Sequence, residues 1–149
     1  MIIKAVTPPT GEMNDDIFMF PIRVYYEDTD AGGIVYYANY LKFAERARTE
    51  FIRQFGCRQQ DELDCENKSG FAVKHCEVDY KAPAVLDDEL VVTCKVTGIR
   101  GASATMHQDI MRDNVVLVSI DIQVVYLNLK SKRPARIPEY LVKKIETLL

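Results

Sequence analysis

One long amphipathic segment most constrains the fold of this chain. Between residues 40 and 55 apolar side chains recur at every third or fourth position, and charged side chains occupy most of the opposite side. The spacing predicts a helix of about four turns. It should end at Gly56, because glycine adopts the left-handed conformation that terminates helices. The wide apolar stripe of this helix must be buried against another layer of structure.

Runs with alternating apolar and polar residues supply that layer. The alternation predicts strands at Phe18–Tyr26, before the helix, and at Phe71–Tyr80, Leu90–Ile99, Ala102–Met111 and Val115–Leu127, after it. The connectors between the last four runs are too short to hold crossover helices, so these strands must be antiparallel. The sequence therefore predicts an α+β fold, in which a curved antiparallel sheet of about five strands wraps around one long helix. Free edge strands and leftover apolar surface predict dimerisation by sheet extension or by packing of sheet faces.

The remaining segments complete a single predicted domain, residues 17–149. Residues 1–16 contain two prolines and an Asn-Asp-Asp run and are interpreted as a flexible tail. The polar stretch 59–68 is interpreted as a loop with a helical turn. Pro138 can open a closing helix. The apolar stripe of that helix is Leu141, Ile145 and Leu148.

Composition excludes several classes of function. Lys and Arg number 19 against 22 Asp and Glu, a net charge of −3, so the overall charge does not indicate a nucleic-acid-binding protein, although it is compatible with a local basic patch. No apolar run is long enough to span a membrane, and the N-terminus has no signal-peptide pattern. The four cysteines are dispersed, as is typical of a reduced, cytoplasmic protein. We therefore expect a cytoplasmic protein without a nucleic-acid partner or a membrane span.

The loop Glu27–Tyr40 is the strongest candidate for chemistry. It joins the first strand to the long helix and carries acidic residues and two glycines just before the helix N-terminus, where main-chain N–H groups are free. Such a terminus can polarise a carbonyl oxygen while a neighbouring carboxylate attacks the carbonyl carbon or directs water. On spacing alone, Asp28, Thr29 and Asp30 can equally be turn and capping residues.

The motifs in and around this loop resemble a known family. Residues 24–36 read VYYEDTDAGGIVY, and Asn39-Tyr40-Leu41 and Glu45-Arg46-Ala47-Arg48 follow. This pattern closely resembles the hotdog-fold acyl-CoA thioesterases of the 4-hydroxybenzoyl-CoA thioesterase type. Within them it is most similar to the thioesterases associated with the Tol-Pal cell-envelope system. The resemblance extends from Phe18 to Arg136. It implies the hotdog fold and the hydrolysis of acyl-CoA thioesters to free acid and CoA.

The resemblance also implies roles for individual residues. The catalytic aspartate of the family falls on Asp30, which would act as nucleophile through a mixed anhydride or as general base for water. The main-chain amide that polarises the thioester carbonyl falls on Tyr37, and a second amide falls on Gly70. Tol-Pal-associated members often carry His at the position of Tyr37, whereas the aromatic-acyl type can carry Tyr. The preference for an acyl group therefore stays open.

Other polar residues admit two interpretations. Glu45 is a rival carboxylate, because some hotdog thioesterases use a helix carboxylate, yet it is also well placed to pair with Arg46 or Arg48. His75, Glu77 and Asp79 alternate along one strand face and have the side chains of a metal site, but exposed strand faces are commonly this polar. We expect neither a metal ion nor an organic cofactor.

Basic residues late in the chain are candidates for binding the phosphates of coenzyme A. The substrate-binding candidates are Arg100, Ser103, Lys132 and Arg133, with Lys130 and Arg136 nearby. The same cluster can equally be a solvated loop before the last helix.

The expected partners follow from the resemblance. They are an acyl-CoA substrate, an acyl carrier protein as an alternative carrier, and further copies of the chain in a homodimer or homotetramer. An alternative is a hotdog dehydratase or hydratase acting on the same carrier. Such enzymes normally need a His paired with a carboxylate, and neither His75 nor His107 lies near Asp30 in the sequence. A non-enzymatic acyl-CoA or acyl-carrier binding module, or a scaffold of the cell-envelope machinery, would need the pocket but not Asp30.

Overall fold

One antiparallel sheet and three α-helices make up the computed structural model, which describes residues 1–149. In chain order the elements are β1 (Glu12–Asn14), β2 (Ile17–Arg23), α1 (Asn39–Arg53), α2 (Gln59–Asp64), β3 (Ser69–Tyr80), β4 (Glu89–Arg100), β5 (Ser103–Arg112), β6 (Val115–Asn128), β7 (Arg133–Pro134) and α3 (Glu139–Glu146). The strand order is β1-β2-β4-β5-β6-β3, and β7 pairs with the end of β6.

The predicted stripe of α1 faces the sheet. Its apolar members Tyr40, Phe43, Ala44, Ala47 and Phe51 are buried, and the helix packs against β2, β4 and β5. Alternate residues of β4 and β5 are buried on the same side, as the period of two requires. After α1 the chain turns through Gly56, whose φ is +84°. The α+β arrangement of one long helix against an antiparallel sheet is confirmed.

The five predicted strands correspond to β2–β6, and the sheet has two more. Strands β1 and β7 hold three and two residues, too few for an alternating pattern to be recognised. Strand β1 pairs with Ile17–Met19, so ordered pairing begins inside the segment 1–16 that the sequence predicts to be a tail. The predicted first strand, Phe18–Tyr26, is also too long. The observed strand β2 ends at Arg23, and Tyr26–Asp28 form a 3₁₀ turn.

Strand β3 lies at one edge of the sheet. It runs for twelve residues, pairs with β6 on one side and has no partner strand on the other. The register shifts between Val73 and His75, a bulge that leaves Lys74 without an opposing residue. No helix in the structure combines the length and the apolar composition required to cross a membrane.

Candidate active site

The segment between β2 and α1 folds into a tight reversal. Thr29 and Val35 form an isolated antiparallel bridge, the Asp30 N–H donates to the Ile34 carbonyl at 3.0 Å, and the Gly33 N–H donates to the Asp30 carbonyl at 3.0 Å. Gly33 has a φ of +79°, a left-handed conformation that side-chain-bearing residues rarely adopt. The reversal therefore presents Asp30 at its tip.

The carboxylate of Asp30 is exposed and sparsely bonded. Its Oδ1 accepts one hydrogen bond, from the Gly32 N–H at 2.8 Å, and no other donor of the chain contacts it. This bond orients the carboxylate and leaves Oδ2 unbonded. A carboxylate with a free oxygen at the surface is able to accept a proton from water or to attack an electrophilic carbon.

The main-chain amide of Tyr37 lies two residues before α1. The flanking groups are bonded, because the Tyr36 N–H donates to the Asp28 carbonyl at 2.9 Å and the Asn39 N–H donates to the Tyr36 carbonyl at 2.8 Å. The Tyr37 N–H itself has no acceptor in the chain. A free N–H at a helix start, where the helix dipole is positive, can bind the oxygen of a polarised carbonyl.

Asp28, in contrast to the exposed Asp30, is buried, with an exposed fraction of 3%. Its Oδ2 accepts the Tyr25 N–H at 2.8 Å and its Oδ1 accepts Nδ2 of Asn39 at 2.9 Å. Asn39 is buried too, at 7% exposure. Asp28 is thus a supporting residue that holds the loop to α1.

Aromatic rings surround the helix start. Tyr37 packs edge-on against Tyr36 and Tyr80, with ring centroids 5.0 and 6.1 Å apart, and Tyr80 packs against Tyr40. The Tyr80 hydroxyl donates to the Tyr37 carbonyl at 3.0 Å. Burial raises the pKa of Tyr80, so this hydroxyl keeps its proton at neutral pH. The sequence did not single out Tyr80, because the contact joins residues 43 positions apart.

Gly70 and the basic candidates lie at the other end of the sheet. Tyr80, beside the loop, and Gly70 are ten positions apart on β3, which is about 33 Å along a strand. Near Gly70 the end of β6 meets β7 and the turn between β4 and β5. That end carries Arg100, Ser103, Lys132 and Arg133. Within one chain Asp30 and Tyr37 therefore lie in the same loop, and the other predicted site residues lie at the far end of the sheet.

Glu45 has a structural partner. It forms an ion pair with Arg48, whose side chain is 11% exposed and also donates to Gln108 Oε1 at 2.8 Å. Gln108 is fully buried and donates to Sγ of Cys94, where burial raises the thiol pKa to about 12. Glu45 and Arg48 line one side of an apolar cavity of about 60 Å³ between α1 and the sheet. Pairing with Arg48, one of the two interpretations of Glu45, is observed.

The outer face of the sheet carries the histidines. His75 Nε2 lies 3.2 Å from Glu77 Oε1, and no group of three His, Cys, Asp or Glu side chains is arranged to hold a metal ion. His107 lies between two aspartates, a position that its place in the sequence did not reveal. Its Nδ1 is 2.7 Å from Asp121 Oδ1, and its Nε2 is 3.1 Å from Asp109 Oδ1. These carboxylates raise the pKa of His107. Because its neighbours Met106 and Gln108 point inward, His107 faces away from α1 and from the loop.

Comparison with known proteins defines the class. The family described as the thioesterase-like superfamily matches residues 24–145, so the chain belongs to this superfamily. It is 43% identical over 127 residues to the acyl-CoA thioesterase YbgC of Haemophilus influenzae, covering 85% of this chain and 93% of that protein. It is 39% identical over 135 residues to the acyl-CoA thioester hydrolase YbgC of Escherichia coli O6:H1, covering 90% of this chain and 99% of that protein.

Solved structures agree with this assignment. The probable thioesterase from Bartonella henselae superposes with a TM-score of 0.78 at 32% identity, over 82% of this chain and 99% of that one. The gentisyl-coenzyme A thioesterase BH1999 superposes with a TM-score of 0.77 at 26% identity, over 83% of this chain and 98% of that one. The predicted hotdog fold and thioesterase family are therefore confirmed.

Proposed function

We propose that this protein hydrolyses acyl-CoA thioesters to a free acid and CoA, with Asp30 and the Tyr37 amide as the reacting and polarising groups. One observation carries the proposal. A single short loop holds both an exposed carboxylate with an unbonded oxygen and a main-chain N–H without an acceptor at a helix start. The names of the relatives, acyl-CoA thioesterase and thioester hydrolase, support the same reaction.

The two groups have complementary tasks. The Tyr37 N–H donates to the thioester oxygen and stabilises the negative charge that develops there. In the general-base route, Asp30 takes a proton from water, the water oxygen bonds to the acyl carbon, the C–S bond breaks and the proton passes to the thiolate. In the nucleophilic route, Asp30 Oδ2 bonds to the acyl carbon and expels the thiolate, and water then hydrolyses the mixed anhydride. Neither route uses a metal ion or an organic cofactor.

The separation of the site residues supports an assembly in which two copies share each site. If two β3 strands pair antiparallel about their middles, Gly70 of one copy lies beside Tyr80 and the loop of the other. Arg100, Lys132 and Arg133 then approach the same loop and can bind the phosphates of CoA. We propose a homodimer, or a dimer of such dimers. A single species of 17 kDa in light scattering would contradict it.

The cellular setting belongs to the proposal as well. A cytoplasmic location rests on the dispersed cysteines, of which Cys57 and Cys94 are buried in the core. An acyl carrier protein can present the same thioester as CoA, so it stands as the second carrier in the proposal. Association with the Tol-Pal machinery rests on the resemblance of the loop motif.

The proposal is tested by thiol release from short, long and aromatic acyl-CoAs. We expect Asp30→Asn to bind substrate but to lower kcat at least about a hundredfold, because it removes the charge and basicity and keeps the shape. Asp28→Asn is the matched control two positions away and should cost less than about tenfold, since its amide oxygen still accepts the Tyr25 N–H and its NH2 group can donate to the Asn39 side-chain oxygen once that amide turns over.

Two outcomes would contradict the assignment. If Asp30→Asn turns over like the wild type and Glu45→Gln is inactive, the helix carboxylate is the reacting group. If the wild-type protein binds acyl-CoA and releases no thiol from any member of the panel, the chain is a binding module or a scaffold.

A further inference from the structure

The two ends of the catalytic loop are joined by a buried side-chain hydrogen bond. Asp28 lies near the start of the loop Glu27–Tyr40, Asn39 is the first residue of α1, and the bond between Asp28 Oδ1 and Asn39 Nδ2 measures 2.9 Å. Both residues are more than nine-tenths buried. Every residue between them, including Asp30 and Tyr37, is held in a closed loop by this bond.

Each member of the pair is also bonded to the main chain next to Tyr37. The Asp28 carbonyl accepts the Tyr36 N–H at 2.9 Å, and the Asn39 N–H donates to the Tyr36 carbonyl at 2.8 Å. The Tyr36 carbonyl and the Tyr37 N–H belong to one planar peptide unit. Fixing that carbonyl therefore fixes the direction in which the Tyr37 N–H points.

Helix capping accounts for only one oxygen of the Asp28 carboxylate, Oδ2, which accepts the Tyr25 N–H at the start of the 3₁₀ turn Tyr26–Asp28. The N-cap of α1 is Ala38, which makes no side-chain capping bond. The oxygens of Asp28 are taken by the Tyr25 N–H and the Asn39 side chain, and neither bond caps an amide of α1. The contacts point instead to a role in the geometry of the loop.

We propose that Asp28 and Asn39 are a positioning pair that sets the Tyr37 amide and the Asp30 carboxylate relative to each other for attack on the thioester. The inference rests on the proposed function. Catalysis is sensitive to such geometry, since a displacement of about 1 Å can cost about a hundredfold in rate. Neither member touches the substrate in this scheme, so the pair should act on kcat rather than on binding.

The pair allows a reversal test. In Asn39→Asp two carboxylates face each other where they are buried, which is unfavourable unless one of them takes a proton. In the double variant Asp28→Asn/Asn39→Asp the amide at position 28 donates to the carboxylate at position 39, and its oxygen still accepts the Tyr25 N–H. All bonds of the pair are then restored with donor and acceptor exchanged.

The experiment compares kcat and KM with one acyl-CoA across pH 5 to 9 for the wild type and both variants. We expect the kcat of Asn39→Asp at pH 8 to be at least about tenfold below the wild type, with KM changed less than about twofold. The kcat of Asn39→Asp relative to the wild type should recover as the pH falls, because one of the two facing carboxylates then takes a proton. The kcat of the double variant should stay within about threefold of the wild type from pH 5 to 9. A double variant no better than Asn39→Asp, or an Asn39→Asp indistinguishable from the wild type, overturns the proposal.

Folding and function are separated by two further measurements. Circular dichroism establishes whether Asn39→Asp is folded; if it is not, Asn39→Ala replaces it, with the same loss of kcat expected and an unchanged kcat overturning the pair. A wild type that releases no thiol defeats the proposed function and this inference together. A wild type and Asp30→Asn that behave as proposed, with pair variants of unchanged kcat, defeat the positioning pair alone.

Discussion

Asp28 and Asp30 lie two positions apart in one loop and have opposite surroundings. Asp28 is 3% exposed and both of its carboxylate oxygens accept hydrogen bonds, whereas Asp30 is exposed and only one of its oxygens does. A buried carboxylate must be fully bonded, because an unpaired charge in the interior is very costly. An exposed carboxylate keeps free lone pairs at little cost. The difference supports the proposal that the first aspartate stabilises the loop and the second carries out the chemistry.

The largest expected effect on folding comes from Asp28→Ala. The variant leaves the buried Asn39 side chain and the partly buried Tyr25 N–H without an acceptor, and an unsatisfied buried donor costs about 1–3 kcal/mol. We expect the free energy of unfolding to fall by about 2–3 kcal/mol in urea denaturation. Asp30→Ala is the matched control and should change it by about 0.5 kcal/mol or less. Equal losses in the two variants would refute the contrast between the aspartates.

The sequence separates the two aspartates only through the resemblance. The resemblance implies that Asp30 is the reacting carboxylate and leaves Asp28 as a turn and supporting residue, whereas turn chemistry alone fits both. The buried bond to Asn39 was not predicted, because it depends on how the loop closes in three dimensions. The Asp28 carboxylate also explains the short first strand, since it accepts the Tyr25 N–H, which a longer strand would need for pairing.

The architecture was predictable where the patterns are long. The apolar period of α1 and the alternation of β2–β6 extend over seven to fifteen residues, enough for a periodicity to show. Strand β7 has two residues and no pattern to detect. The separation of Gly70 from Asp30 was not visible either, since it follows from β3 pairing with β6 rather than with its neighbours in sequence.

A smaller loss of stability is expected from Gly33→Ala, a substitution at the tip of the loop. Gly33 has a φ of +79° and open space where a Cβ would be added, so backbone strain is the main cost, about 1 kcal/mol. Gly56→Ala is a matched control, because Gly56 has a φ of +84° and equal space at the far end of α1. Both variants should lose similar stability in urea denaturation, and only Gly33→Ala should lower kcat. Equal kcat values would show that the shape of the tip does not matter to Asp30.

The smallest effect is expected from Glu45→Gln, the carboxylate outside the loop. Glu45 is 56% exposed, so its ion pair with Arg48 is weakened by solvent, and Arg48 keeps its bond to Gln108 when the charge is removed. The free energy of unfolding should change by less than about 0.5 kcal/mol, and kcat in the thiol-release assay should stay within about threefold of the wild type. The comparison with Asp30→Asn makes this result informative, because both variants replace one exposed carboxylate by its amide. A large loss of kcat at Glu45 and none at Asp30 would move the chemistry from the loop to the helix, and Asp30 would then be a turn residue.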